Sequence, residues 1–158
     1  MNKFFKVYLA GFISEKNMEE CLGWRKKIRE YYTSKDYPII WLDPLNTDNL
    51  ETISENGLKS SYSANTIIHK DYMSIMNSDL IVVNLDTFGN DRPLIGTIAE
   101  LAWAWEHHKP ILSITTDATY KEHPFIKYFT SEFVSSLDEL IERKLIPYFY
   151  KGLVTARY

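Results

Sequence analysis

Short, continuous apolar runs alternate along this chain with longer stretches whose apolar positions recur every three or four residues. Phe4 to Ala10 predicts a first strand, closed by Gly11. Asn17-Met18-Glu19-Glu20 carries the N-cap and N3 pattern of a helix start. The helix runs to about Tyr32, with Cys21, Leu22, Ile28 and Tyr31 or Tyr32 on one apolar stripe. Ile39 to Leu42, bounded by Pro38 and Asp43-Pro44, predicts a second strand. Asn46 to Asn65 is polar and holds Gly57, a length that usually marks a functional or mobile loop. A second helix is expected from about Asn65 to Asn77, and a third strand from Leu80 to Leu85. A third helix follows from Thr97 to about His108, and a fourth strand from Pro110 to Ile114. Thr115 to Tyr128 is irregular or partly helical, Phe133-Val134 can form a short fifth strand, and Ser136 starts a last helix ending near Lys144. From Pro147 onward the chain is a tail rich in Tyr and Phe.

Strands that alternate with helices imply βαβ units and a mainly parallel sheet. Apolar runs without polar alternation fit strands covered on both faces, giving an α/β three-layer sandwich. At 158 residues the expectation is one domain spanning 1–158. No internal repeat or low-complexity segment interrupts it.

Composition narrows the partners. A formal charge of −3, with no dense Lys/Arg run, argues against a nucleic-acid polymer as ligand. Eleven Tyr, eight Phe and four Trp exceed what a small core needs, and such rings also stack on flat ligands or line subunit contacts. The single cysteine, Cys21, cannot form an intramolecular disulfide and fits a reducing compartment. Lys3 and Lys6 around an apolar start superficially suggest a secretory leader. The run is short, however, and Ser14-Glu15-Lys16-Asn17 offers no cleavage site, so a strand is the expectation. No stretch approaches the length of a bilayer span, and a cytoplasmic protein without membrane contact is expected.

Candidate chemistry centres on Glu100. Thr97-Ile98-Ala99-Glu100 has capping-box spacing, so on spacing alone Glu100 is a cap residue, as Glu20 and Glu139 would be in two other boxes. Its placement argues otherwise. It follows the most apolar strand through a loop carrying Asp86, Asp91 and Arg92, in the crevice position where open α/β sheets bind ligands. A helix N-terminus favours a charged carboxylate, which suits a nucleophile. Asp71 borders the stripe of Ile67, Ile68, Tyr72, Ile75 and Met76, where a carboxylate needs a partner or a role. Tyr8, before Ala10-Gly11, can donate a hydrogen bond at the carboxyl end of the first strand, and Gly11 allows close approach of a ligand. Loop aspartates such as Asp43, Asp86 and Asp91 are ordinarily turn formers, and Arg92 can pair with one of them or with an anion. His69, His107, His108 and His123 have no recognised metal spacing, so no metal is expected. Walker A, G-x-G-x-x-G and G-x-S-x-G motifs are absent.

Tyr8-Leu9-Ala10-Gly11, Asp71, Ser78-Asp79-Leu80-Ile81-Val82-Val83, Gly96-Thr97-Ile98-Ala99-Glu100-Leu101-Ala102 and Lys109-Pro110-Ile111, in this order, resemble the nucleoside 2-deoxyribosyltransferase family. The resemblance implies a flavodoxin-like or Rossmann-like fold, a homo-oligomer with sites near subunit interfaces, no cofactor, and a role in nucleoside metabolism. It implies that Glu100 attacks the anomeric carbon of a deoxyribose, that Tyr8 orients Glu100, and that Asp71 binds and protonates the base. A family loop aspartate corresponds to Asp91, within Asp91-Arg92-Pro93-Leu94-Ile95. A segment lent by a neighbouring subunit corresponds to Ser131-Glu132-Phe133, where Glu132 is the carboxylate, and a tail tyrosine corresponds to Tyr158. The implied ligands are nucleosides or nucleotides and free nucleobases. Three functions compete. The first is transfer of 2-deoxyribose between bases. The second is hydrolysis of nucleoside 5′-monophosphates, with amides near Gly96-Thr97 or Gly11 and the side chains of Arg92 or Ser14 holding the phosphate. The third is a non-catalytic nucleotide-binding module on the same fold.

Overall fold

In the computed structural model, which describes residues 4–45, 51–54 and 57–151, the strands β1 (Phe5–Gly11), β2 (Ile39–Leu42), β5 (Leu80–Asn84), β6 (Ile111–Ile114) and β7 (Glu132–Val134) form one parallel sheet. Its order is β2-β1-β5-β6-β7. Counted along the sheet strands alone, this is the flavodoxin order 2-1-3-4-5, whose ligand crevice opens where the winding reverses, between β1 and β5. The expected three-layer α/β architecture is therefore the observed one.

The strands alternate across two cores. Val7, Leu9, Leu80 and Val82 face one side, packed by Trp24, Ile28 and Tyr32 of α1 (Met18–Ser34), Leu140 of α6 (Leu137–Glu142) and Ile146 of α7 (Leu145–Lys151). Tyr8, Ala10, Ile81 and Val83 face the other, packed by Ile75 of α2 (Ala64–Met76), Leu101 and Ala104 of α3 (Ile95–Glu106) and Ile126 of α5 (Pro124–Phe129). All five residues of β5 are buried, which is why that run carries no polar alternation. No helix among the described residues is long and apolar enough to cross a membrane.

Several boundaries depart from the sequence pattern. The polar connection after β2 contains an antiparallel pair, β3 (Glu51–Ser54) and β4 (Gly57–Ser60), where only a loop is expected. The stretch after Thr115 contains α4 (Ala118–Glu122) as well as α5, and the aromatic tail begins as helix α7, with Pro147 in its first turn where a missing N–H is harmless. The Asn17 box does not form. Asn17 makes no side-chain cap and instead donates Nδ2 to the Phe88 carbonyl at 3.3 Å. Ser14 caps the preceding 3-10 turn by accepting from Lys16 N at 3.3 Å. The Ser136 box does close its cap, accepting from Glu139 N at 3.0 Å.

The largest shift is at α3. It starts at Ile95, two residues before the expected Thr97 cap, with Leu94 as N-cap. Leu94 is almost fully buried beside Leu85, and its carbonyl accepts from Ile98 N at 2.9 Å. Packing of an apolar residue therefore fixes where this helix begins. Thr97 lies inside the first turn, and Glu100 falls in the second turn rather than the first, with no acidic residue near the helix start.

Candidate active site

A cavity of about 290 Å³ opens at the switch point. Gly11, Phe12 and Ile13 enter it from the end of β1; Ala64, Ile67, Ile68 and Asp71 from α2. Arg92, Pro93 and Leu94 enter from the loop before α3, and Ile95, Gly96, Thr97 and Glu100 from α3 itself. The walls are mostly apolar, and a few polar groups converge, as in sites for flat organic ligands.

Glu100 is the centre of the polar set. Its Oε2 is buried and without a hydrogen-bond partner. Burial pushes the carboxyl up to about 8; the Tyr8 hydroxyl draws it down, Asp71 raises it further, and Arg25 and Lys70 lower it. The sequence expectation of a carboxylate kept ionised by a helix N-terminus is thus corrected. A dipole acts mainly within the first turn, Glu100 lies beyond it, and desolvation wins.

Tyr8 lies under the cavity floor, 1% exposed, and its hydroxyl closes no well-formed hydrogen bond although it faces Glu100. Burial, followed by the charges of Glu100 and Asp71, raises the phenol well above its usual value of 10, so it remains a proton donor. Buried polar atoms without a well-formed hydrogen bond are rare in folded proteins, and here Tyr8 Oη and Glu100 Oε2 lie together at one site. Asp71 lies across the cavity on α2, its side chain 16% exposed, with Lys70 Nζ 3.6 Å from Oδ1.

Two neighbours hold the α2 and α3 walls together. Tyr72 Oη and His107 Nε2 are hydrogen-bonded at 2.8 Å, and the Tyr72 ring meets Trp103 edge-on at 5.3 Å. At the end of β1, Gly11 has a reason other than ligand approach. A Cβ there would sit 3.0 Å from the Asn84 carbonyl oxygen and 3.1 Å from Trp24.

Six expected site residues, Gly11, Asp71, Arg92, Gly96, Thr97 and Glu100, line this one cavity, with Tyr8 beneath it. Among the described residues, Arg92 is not paired with Asp43, Asp86 or Asp91. Its guanidinium donates to the Ile13 carbonyl and stacks over Phe12 at 4.5 Å. Asp86 is a turn former, accepting from Phe88 N at 2.7 Å, and neither it nor the exposed Asp91 reaches the cavity. Glu132 opens β7, pairs with Arg143 at 3.0 Å, and belongs to a separate surface recess. Tyr158 lies outside the described residues.

The sequence reading missed Arg25. It sits on the apolar stripe of α1, four residues after Cys21 and three before Ile28, and is fully buried. A cation on a buried stripe is a legible signal. Its partner Asp43, expected only to form a turn, accepts from Leu45 N at 3.0 Å and is also paired with Arg25 at 3.2 Å and with Arg29.

Comparison with known proteins bears on the family and the fold. A family model described as nucleoside 2-deoxyribosyltransferase matches residues 7–140. Among solved structures, 2-desoxiribosyltransferase from Leishmania mexicana aligns with a TM-score of 0.52 and 23% identity, covering 72% of this chain and 65% of that one. The chain thus spans under two thirds of that protein's length. The molybdenum cofactor binding protein from Rippkaea orientalis aligns at TM-score 0.53 and 15% identity, over 92% of this chain and 99% of that one. A 3-dehydroquinate dehydratase-like protein from Bifidobacterium longum aligns at 0.50 and 8%, over 96% and 100%. These likenesses concern the fold. No curated protein matches the chain. With the family model spanning most of the sequence and both carboxyl-bearing helices, the chain belongs to the nucleoside 2-deoxyribosyltransferase family.

Proposed function

We propose that this protein transfers 2-deoxyribose between nucleobases through a covalent glycosyl-enzyme on Glu100. The observation that carries the reading is the convergence of the buried Glu100 carboxyl, the Tyr8 hydroxyl and Asp71 on one apolar cavity at the switch point. The two carboxyls share one proton, and the pair reacts in the form that holds it on Asp71 and leaves Glu100 ionised: a Glu100 oxygen attacks the anomeric carbon as the carbon–nitrogen bond to the base breaks, and the bonding pair leaves on the base nitrogen, which takes the proton from Asp71. Tyr8 donates to the other Glu100 oxygen and orients it. In the second half-reaction Asp71 takes the proton from an incoming base, whose nitrogen attacks the same carbon and releases Glu100. Apolar walls from Phe12, Ile67 and Ile68 favour a second base over water as acceptor.

Hydrolysis of a 5′-monophosphate is the alternative reading: Arg92 lines the cavity, with part of its guanidinium engaged by the Ile13 carbonyl and the Phe12 ring. We further propose that the molecule is one domain acting in the cytoplasm as a homo-oligomer. In it Glu132 serves sugar recognition at a neighbour's site and Tyr158 contributes to substrate binding, while Asp86 and Asp91 shape the loop before α3.

The test is to mix the protein with a deoxynucleoside and a different free base and follow products by chromatography. Base exchange, and a deoxyribosyl adduct seen by intact mass when no acceptor is present, are expected. Glu100→Ala abolishes both while retaining the fold. Free sugar phosphate from a monophosphate would favour hydrolysis instead, and binding without turnover would favour the non-catalytic module.

A further inference from the structure

We propose that Arg25, which lies behind the cavity lining, is a positioning residue for Glu100. It holds the carboxyl end of β1 by its carbonyls and keeps a buried positive charge under the site. This rests on the role of Glu100 proposed above.

The geometry is specific. β2 ends opposite Tyr8, so β1 continues past its neighbour. There the Arg25 guanidinium takes the place of a strand, donating Nη1 to the Leu9 carbonyl at 2.8 Å and Nη2 to the Gly11 carbonyl at 3.2 Å. Nε donates to the Cys21 carbonyl at 3.1 Å, within its own helix. The two strand carbonyls flank Ala10, so the fork fixes the backbone that carries Tyr8 below and Gly11 at the cavity wall. Lysine, with a single ammonium, cannot span both.

The charge is equally placed. Arg25 and Asp43 side chains are 0% and 1% exposed, and Asp43 also binds Arg29, which is 31% exposed. Two guanidiniums and one carboxylate leave one net positive charge. A buried ion cluster contributes little stability compared with apolar packing of the same volume, so stability alone does not account for it. The groups acting on Glu100 are Tyr8 from β1, Asp71 and Lys70 from α2, and Arg25 from α1. Lys70 is 37% exposed and therefore screened by solvent; Arg25 is not. Arg25 thus offsets the burial and the Asp71 charge that keep a proton on Glu100.

The test reads Glu100 directly. The protein is labelled with 13C at the glutamate carboxyls, Glu100→Gln identifies the resonance, and its titration is followed in Arg25→Met, Asp43→Asn and Arg25→Lys. Arg25→Met removes the charge, and the midpoint rises by about half a unit or more; Asp43→Asn uncovers it, and the midpoint falls by a similar amount. Arg25→Lys leaves the midpoint in place but lowers kcat about tenfold, with KM little changed. Should Arg25→Met not fold, the other two variants decide alone. A Glu100 midpoint that stays put in folded Arg25→Met or Asp43→Asn overturns the proposal, as does an Arg25→Lys enzyme with wild-type kcat. A wild-type protein that turns nothing over overturns the nucleophile reading instead, while the titration still decides whether Arg25 sets the charge of Glu100.

Discussion

A carboxyl pushed up to about 8 makes Glu100 a source of both chemistry and instability. Its unfolded value is the ordinary 4.5, so between about 4.5 and 8 the folded protein holds a proton that the unfolded chain has released. Stability from this group is therefore present at low pH and is lost as pH rises toward 8, by no more than about 1.4 kcal/mol per pH unit. Glu100→Gln does not titrate. Its melting temperature relative to wild type is expected to climb from pH 5 to pH 8 and then level off. A parallel pH dependence in the two proteins would contradict the burial of this charge. For turnover, a nucleophilic carboxylate places the acid limb of kcat/KM near pH 8. Asp71→Asn removes the charge that raises Glu100, so the limb moves to lower pH while base departure slows; kcat/KM across pH 5–9 separates the two effects. At this scale the gathering of Glu100, Asp71 and Tyr8 at one cavity was legible mainly through the family resemblance, since on spacing alone Glu100 reads as a cap residue. Protonation was not legible. It depends on burial by segments distant in sequence, and it reversed the sign expected from a helix N-terminus.

Strands and helices were legible where burial is two-sided and the pattern strict. β1, β5 and β6 fall within a residue or so of the expected limits, since their apolar runs admit no alternative face; β2, a half-buried edge strand, matches because Pro38 and Asp43-Pro44 bound its run. Capping boxes were less reliable. Of the three proposed, the Ser136 cap alone forms as expected, because a cap sequence specifies a helix start only where packing does not impose another. Leu94 imposes one for α3 by inserting into the core. Accordingly, Ser136→Ala is expected to destabilise the protein by about 1 kcal/mol, whereas Asn17→Ala loses only the bond to Phe88, a difference that urea denaturation measures as unequal midpoints. Gly11→Ala tests the crowding at the end of β1. With backbone on one side and Trp24 on the other, a methyl has nowhere to go, and a loss of about 1–3 kcal/mol with an unchanged m-value is expected. The β3–β4 pair was not legible because its polar residues show no apolar alternation.

For the whole molecule, the order of strands decides where the crevice opens; the alternation of strands and helices anticipated the parallel sheet, and the flavodoxin-like topology came with the family resemblance. The molecule's surface was not legible to the same degree. Aromatic residues that look like core candidates in sequence lie outside it. Phe125 and Tyr128 are 65% and 72% exposed, beside Trp105 with its ring 5.3 Å from that of Tyr128. The homo-oligomer proposed above would cover such a face. Sedimentation of the wild type is expected to show a multiple of the 18.6 kDa chain, and Phe125→Lys/Tyr128→Glu to lower that mass if this face contributes. A wild type that sediments as a monomer would rule the assembly out.

The Tyr72–His107 bond and the Tyr72–Trp103 contact join the two helices that carry Asp71 and Glu100. α2 brings Asp71 together with Ile67 and Ile68, and α3 brings Glu100. The width available to a base and the separation of acid from nucleophile are consequently one mechanical variable. On the mechanism proposed above, prying the helices apart to admit a bulkier base would also pull Asp71 away from the bond it is proposed to help break. On that mechanism, broader substrate range and faster turnover oppose each other in this scaffold. A variant that gains one without losing the other has to trim the side chains of Ile67 or Ile68 and leave the seam between the helices intact.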